Sequence, residues 1–287
     1  MISKLVLGTV QFGLDYGINN TRGKISFAES KTILQMAAKD GIDMLDTASA
    51  YGDSEEIIGN ITHGKLPFKI VTKVGDVQSE YFHTRLRQSL SRLKCDRLYG
   101  CLIHDIDVLT RTPTLWNKLL EAQEQGLIIK RGVSVYHPDE LIALIDEGKV
   151  PDIVQVPYNV FDRRFEPLFP LLKHKGIEIH VRSVFLQGLL LSATEQLKPR
   201  FDPIKNKITR LKELADRSGV SRVALLMQFA LQVQQIDRVV IGVDGLSHYF
   251  ENVEAVRSKK KDHDLLRASL LELQEHNEDI ILPSNWK

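Results

Sequence analysis

IDMLDTASAYG, residues 42–52, begins as a short apolar run and ends as a small, polar segment that stops at a glycine. A short apolar run is typical of a buried strand, and small polar residues ending in glycine are typical of a loop. We therefore predict that Asp46 lies at the carboxyl end of a strand and that Tyr51 lies on the loop after it.

Two later apolar runs also end in ionisable residues. Residues 68–73 read FKIVTK and end in Lys73, and residues 98–104 read LYGCLIH and end in His104. The carboxyl ends of parallel barrel strands meet at one face of the barrel. If the three strands are neighbours, Lys73 and His104 meet Asp46 at one rim, with the tyrosine above them.

Apolar runs of this kind recur along the whole chain and alternate with helical patterns. This alternation predicts βα units and a parallel sheet, and eight such units favour a closed barrel over an open sheet. No G-x-G-x-x-G turn follows an early strand, which argues against a Rossmann fold. We predict an α/β fold, a (β/α)8 TIM barrel in a single domain over residues 1–287. The predicted strands are 5–8, 42–46, 69–73, 98–103, 128–134, 152–156, 177–181 and 238–242.

Capping residues predict where several helices begin. Ser26 is a candidate N-cap, and Glu29 three residues later would complete a capping box. Ser79 is a second candidate N-cap. The last two helices are predicted around 251–259 and 262–275.

Bulk properties exclude several classes of protein. The 287 residues suffice for an α/β barrel, which typically needs roughly 250. The formal net charge of +1 argues against a nucleic-acid partner. Cys95 and Cys101 have no metal or redox spacing, so we predict reduced thiols and no metal. No stretch approaches the apolar length of a membrane span or of a signal peptide, so we expect a cytoplasmic protein without a membrane partner.

Asp46, Tyr51, Lys73 and His104, in this order, resemble the catalytic tetrad of the aldo-keto reductases. The surrounding LDTA and YG sequences match that family as well. The resemblance implies an NAD(P)H-dependent oxidoreductase that reduces an aldehyde or ketone to an alcohol by hydride transfer. Many members begin with a hairpin that plugs the bottom of the barrel, which we expect to be missing or rudimentary here.

The resemblance implies a role for each residue of this tetrad, and electrostatics explains why the roles are compatible. A free tyrosine titrates near pH ~10 and is a poor acid at neutral pH, and an adjacent ammonium lowers that value. Lys73 would act in this way on Tyr51, the general acid. Asp46 would keep Lys73 charged, and His104 would donate a hydrogen bond to the substrate carbonyl and share in proton transfer.

Further segments resemble the family's cofactor-binding parts. Ser134 and Gln155 match residues that hold the nicotinamide carboxamide, whereas Val135 replaces an asparagine of the family. Arg182 stands where an aromatic residue usually stacks on nicotinamide, and its guanidinium either stacks in the same way or turns toward a phosphate. The cofactor-binding residues implied are Gly8, Thr9, Asp46, Ser134, Gln155, Arg182, Ser183, Phe185, Gln187, Gly188, Ile241, Gly242, Asp244, His248, Glu251 and Asn252.

The choice between NADP(H) and NAD(H) depends on the loop after the last strand. NADP-preferring relatives usually present Lys, Arg, Ser or Gln to the 2′-phosphate here, whereas this chain offers Asp244, Ser247 and His248. Asp244 would repel a phosphate or accept from a ribose hydroxyl. We expect NADP(H) because the family as a whole favours it, with NAD(H) as the alternative. The short tail, 282–287, would leave the site open to a polar or bulky substrate such as a sugar.

Two other classes of function compete with this interpretation. One is a barrel aldolase in which Lys73 forms a Schiff base; Asp46, Tyr51 and the cofactor segments argue against it. The other is a non-catalytic nucleotide sensor or partner subunit, which Val135 and Arg182 leave open. The expected partner is a small carbonyl or alcohol, and the sequence indicates neither a particular substrate nor an oligomeric state.

Overall fold

The computed structural model describes residues 1–63, 66–257 and 263–286. Its strands are β1 Leu5–Gly8, β2 Met44–Asp46, β3 Lys69–Val74, β4 Leu98–Ile103, β5 Ile128–Ser134, β6 Ile153–Pro157, β7 Glu178–Arg182 and β8 Arg238–Ile241. Each strand pairs in parallel with the next, and β8 pairs with β1, so the sheet closes into a barrel. The predicted (β/α)8 fold is confirmed, and each predicted strand boundary lies within two residues of the observed one.

Helices follow the strands around the outside of the barrel. They are α1 Val10–Gly13, α2 Phe27–Asp40, α3 Ser54–Thr62, α4 Phe82–Leu93, α5 Asp107–Arg111, α6 Leu115–Glu124, α7 Pro138–Asp146, α8 Phe169–His174, α9 Lys205–Ser218, α10 Arg222–Leu231, α11 Leu246–Arg257, α12 His263–Leu271 and α13 Glu278–Ile281. Both α9 and α10 lie between β7 and β8. None of the described helices is long and apolar enough to cross a membrane.

The helix predictions are less accurate than the strand predictions. The helix predicted at 251–259 begins earlier, at Leu246, and the predictions that fall on 258–262 lie outside the described residues. Ser79 is not the N-cap of α4, because it begins a separate 3-10 turn and its hydroxyl pairs with the hydroxyl of Thr114. A hydroxyl with a partner on another loop is unavailable to cap a helix.

Only half of the predicted capping box at α2 is present. The Ser26 hydroxyl accepts a hydrogen bond of 3.2 Å from the Glu29 backbone N–H, as an N-cap should. The Glu29 carboxylate turns away and accepts from the backbone N–H of Leu246 at 2.8 Å. Glu29 therefore joins α2 to the start of α11.

Apolar side chains fill both sides of the barrel wall. Inside it, Val6, Met44, Val71, Leu102 and Ile153 form one buried cluster. The alternate residues of the same strands face the helices and contribute to the larger core, as the two-residue period of a strand requires. Polar groups buried in this wall have hydrogen-bond partners: on β3 the Thr72 hydroxyl donates to the Glu55 carboxylate of α3 at 2.6 Å.

The amino-terminal end of the barrel carries a polar network. Before β1, the described chain forms only one 3-10 turn, Ile2–Lys4, and no hairpin. Tyr99 packs against the inner cluster and donates a 2.8 Å hydrogen bond to Glu178. The Glu178 carboxylate also accepts from Lys130 and, at 2.8 Å, pairs with the His180 imidazole.

Candidate active site

The opposite end of the barrel carries the four residues of the predicted tetrad. Asp46 ends β2, Lys73 lies near the end of β3, and His104 directly follows β4. Tyr51 lies on the loop between β2 and α3. All four side chains line one cavity of about 840 Å³.

Lys73 is held at the centre of this group. Its side chain is 2% exposed, and its ammonium forms an ion pair with Asp46 and donates to the Thr47 carbonyl at 3.2 Å. The ammonium lies 5.2 Å from the centroid of the Tyr51 ring. Burial alone would lower the pKa of Lys73, but the Asp46 carboxylate and Tyr51 raise it above its usual value. Lys73 is therefore charged at neutral pH.

Gln155, on β6, fixes the second oxygen of the Asp46 carboxylate. Its side-chain amide donates to that oxygen at 2.7 Å, and both residues are buried. The sequence indicates Gln155 only as a cofactor-binding residue. The contact with Asp46 crosses the inside of the barrel from β6 to β2, so neither strand register nor spacing along the chain could have revealed it.

His104 lies edge-on to Tyr51, with ring centroids 5.7 Å apart and an interplanar angle of 80°. Burial, followed by the positive charge of Lys73, lowers the pKa of His104 to about 4, although Asp46 opposes the shift. The imidazole is therefore neutral at neutral pH, and a neutral imidazole has one N–H donor to offer.

Two glycines bring the Tyr51 loop against α1. A Cβ added to Gly13 would lie 1.8 Å from the Tyr51 carbonyl oxygen. Gly52 has a φ of +55°, and a Cβ there would lie 2.4 Å from the Gly13 carbonyl oxygen. Backbone thus packs directly on backbone beside the tyrosine, and only glycine allows so close an approach.

The cavity extends from the tetrad to the start of α11. Its wall includes every residue that the resemblance implies for the cofactor: Gly8, Thr9, Asp46, Ser134, Gln155, Arg182, Ser183, Phe185, Gln187, Gly188, Ile241, Gly242, Asp244, His248, Glu251 and Asn252. Its volume lies in the range of cofactor sites. The Gln11 side chain also lines it, and its carbonyl oxygen is buried without a hydrogen-bond partner in the described chain. An acceptor left unpaired in this way fits a ligand with hydroxyl or amide donors.

The loop between α1 and α2 crosses the mouth of the cavity, and we call residues 14–24 the strap. Asn19 donates to the Gly188 carbonyl at 2.8 Å, and the Ile18 N–H donates to the Gln187 carbonyl at 3.2 Å. These bonds join the strap to the loop after β7. The carboxyl-terminal tail also borders the cavity through Pro283 and Ser284, so the cavity is less open on that side than the short tail predicts.

Arg182 stacks on an aromatic side chain of the protein itself. Its guanidinium lies 4.2 Å from the centroid of the Tyr136 ring and donates to the Ser183 hydroxyl at 3.3 Å and the Val135 carbonyl at 3.4 Å. It has no carboxylate partner among the described residues. The sequence-based alternatives of nicotinamide and phosphate did not include Tyr136, because the contact joins the ends of β5 and β7.

Comparison with known proteins places the chain in a family. The aldo/keto reductase family model matches residues 4–270. An uncharacterized oxidoreductase of Schizosaccharomyces pombe is 31% identical over 226 residues, which cover 75% of each chain. The L-galactose dehydrogenase of Arabidopsis thaliana is 25% identical over 275 residues, 88% of this chain and 85% of that enzyme.

The fold is also similar to that of solved structures. An aldo-keto reductase from Bacillus halodurans in its holo form has a TM-score of 0.78 at 21% identity and covers 94% of this chain and 91% of its own. At 21% identity this structural similarity supports the fold only. The assignment to the family rests on the family model. The chain therefore belongs to the aldo/keto reductase family and is an NAD(P)H-dependent oxidoreductase.

Proposed function

We propose that this enzyme reduces an aldehyde or ketone to an alcohol and that Tyr51 is its general acid. The observation that carries the proposal is the meeting of Tyr51, charged Lys73 and neutral His104 at one end of a cavity large enough for a dinucleotide. A bound nicotinamide would supply the hydride. The protein must supply the proton and stabilise the charge that develops on the substrate oxygen.

The tetrad can move that proton at neutral pH. Tyr51 gives its phenolic proton to the substrate oxygen, and the ammonium of Lys73 stabilises the phenolate left behind. Asp46 holds Lys73 in its charged form, and the amide of Gln155 keeps the carboxylate in place. His104 orients the carbonyl with its single N–H.

Ser134 and Gln155 would hold the nicotinamide end of the cofactor, and Asp244, Glu251 and Asn252 would face its adenosine end. Gln155 uses one amide N–H on Asp46, which leaves its other N–H and its oxygen for a carboxamide. The family resemblance favours NADP(H), with NAD(H) as the alternative.

A sugar or a similarly polar carbonyl compound is the proposed substrate class. Asn19, Gln187 and Arg182 place polar groups along the cavity wall, and these suit hydroxyl groups. The relative from Arabidopsis thaliana is named an L-galactose dehydrogenase, which supports a sugar among the substrates to test first.

Replacing Tyr51 with phenylalanine tests the proposed chemistry. Loss of a general acid typically lowers the rate by about 10²–10⁴-fold, so turnover of a panel of aldehydes and sugars should fall by that factor. The ring remains, so the dissociation constants for NADPH and NADH should change little. Equal turnover by both proteins would contradict the role of Tyr51. Tight cofactor binding without any turnover by the wild type would favour a non-catalytic nucleotide-binding protein.

A further inference from the structure

The carboxylate of Glu29 binds at the amino-terminal end of α11. Glu29 accepts from the backbone N–H of Leu246, the first residue of this helix, at 2.8 Å. That hydrogen bond is the main cause that lowers the pKa of Glu29, and Arg22 lowers it further. A helix amino terminus attracts anions, so a charged Glu29 occupies a place that could otherwise receive a phosphate.

Arg22, on the strap, fixes Glu29 in this place. Its two terminal nitrogens lie 3.2 and 2.9 Å from the two carboxylate oxygens, which is a bidentate ion pair. One of those nitrogens also donates to the Asp244 carbonyl at 3.2 Å. A Cβ on Gly245 would lie 1.7 Å from that nitrogen and 2.7 Å from the Glu29 oxygen. Gly245 therefore makes room for the pair.

A second carboxylate, that of Asp244, lies on the cavity wall beside this pair. It accepts from the Gln11 amide at 3.2 Å and lies 3.5 Å from the His248 ring. Glu29 and Asp244 together carry two negative charges against one on Arg22, so the cluster is negative unless His248 is protonated. Gln11 is only 6% exposed, and its amide oxygen adds an unpaired acceptor. Acceptors and negative charge suit ribose hydroxyls, which donate hydrogen bonds, better than a phosphate, which only accepts them.

We infer that Glu29 is a specificity residue for the cofactor: with Arg22 and Asp244 it makes this end of the cavity select NAD(H) over NADP(H). The inference rests on the proposed function, which places the adenosine ribose near Asp244. It reverses the preference expected from the family as a whole. A 2′-phosphate near Asp244 would meet its carboxylate, and Arg22, which donates to the Asp244 carbonyl, is already committed to Glu29.

The test is calorimetric titration of the full chain with NADH and with NADPH. We expect the wild type to bind NADH at least about tenfold more tightly, since a charge at a partly buried helix terminus accounts for a factor of this size. Glu29→Gln keeps an acceptor for Leu246 but removes the charge and releases Arg22. It should bind NADPH about tenfold more tightly than the wild type and NADH within about threefold.

Glu254→Gln is the matched control, because it removes the same charge from an exposed residue of α11, eight residues after Leu246. It should leave both dissociation constants unchanged. Asp244→Asn tests the second carboxylate independently and should also shift the ratio toward NADPH, so the inference stays testable if Glu29→Gln fails to fold.

Three results would overturn the inference. A wild type that prefers NADPH, or variants at Glu29 and Asp244 that behave like Glu254→Gln, would contradict the specificity role while leaving the proposed reductase intact. Binding of neither cofactor would contradict the proposed function itself, and the inference with it.

Discussion

The fold changes the acid–base chemistry of His104. Its pKa falls to about 4 because the ring is buried and lies near the charge of Lys73. A histidine in water titrates near pH ~6.5, so His104 stays neutral where a free histidine would begin to ionise. A neutral ring can act as a hydrogen-bond donor without adding positive charge beside Lys73.

The pH dependence of kcat/KM tests this neutrality. Because the lowered pKa lies below the range in which the rate would be measured, the wild type should show no step near pH ~6.5. His104→Gln keeps an N–H donor that does not titrate and should give a profile of the same shape. His104→Phe removes the donor and should lower the rate by about 10²–10³-fold. A step near that pH in the wild type that disappears in His104→Gln would contradict the prediction.

Sequence could identify the tetrad because each of its members stands at a strand end or on the loop after one. It could not identify the partners of those residues. Gln155 contacts Asp46 across the barrel. Arg22, on the strap, contacts Glu29 on α2 and Asp244 on the loop after β8. Such contacts depend on the closed three-dimensional fold, so local sequence patterns do not predict them.

At the scale of elements, the contact between α1 and the loop that carries Tyr51 positions this tyrosine, the proposed general acid. Gly13 and Gly52 allow the two backbones to touch. Gly13→Ala would force them apart, because the added Cβ would overlap the Tyr51 carbonyl. A displacement of about 1 Å at a catalytic group can lower the rate by about 10²-fold.

Gly13→Ala should therefore lower kcat by at least about tenfold and reduce the melting temperature. Gly75→Ala is the matched control, since a Cβ on Gly75, after β3, would have open space around it. The control should keep both the activity and the melting temperature of the wild type. Wild-type kcat in Gly13→Ala would show that the loop adapts without moving the tyrosine.

Strands were more predictable than helix starts for a physical reason. A barrel strand is buried on both faces and reads as a continuous apolar run with sharp ends, which fixes its boundaries. A helix start depends on the partner of a single polar side chain. Ser79 pairs with Thr114 and caps no α-helix, and Glu29 accepts from Leu246, so the capping box predicted at α2 is only half formed.

At the scale of the whole molecule, the charged residues at the two barrel ends have different roles. The carboxyl end carries the cavity, and the amino end carries the network around Glu178. In α/β barrels the amino-terminal face serves stability and the carboxyl-terminal face serves catalysis. Changes to Glu178 should therefore alter stability and leave turnover at the far end of the barrel unaffected.

Glu178→Gln tests whether the amino-terminal end of the barrel contributes to stability and not to turnover. The side chain is 12% exposed and pairs with Lys130 and His180. Removing one partner of a fully buried ion pair typically lowers the free energy of unfolding by about 3–5 kcal/mol. Because Lys130 is 31% exposed, we expect about 2 kcal/mol in urea unfolding at pH ~7, less than for a fully buried pair. Glu56→Gln, an exposed charge on α3, should change the stability little.

The difference between wild type and Glu178→Gln should also depend on pH. Burial alone would raise the pKa of Glu178, but His180, Lys130 and Tyr99 hold it well below its usual value. The unfolded chain binds this proton near pH ~4.3, so the stabilisation is complete above that pH and is lost as the pH falls below it. The stability of the wild type should begin to approach that of Glu178→Gln below about pH 5 and continue to do so as the pH falls toward the lowered pKa of Glu178. A difference that stays constant over this range would mean that packing, and not charge, stabilises this end of the barrel. A loss of kcat at neutral pH in Glu178→Gln would show that the two ends are coupled.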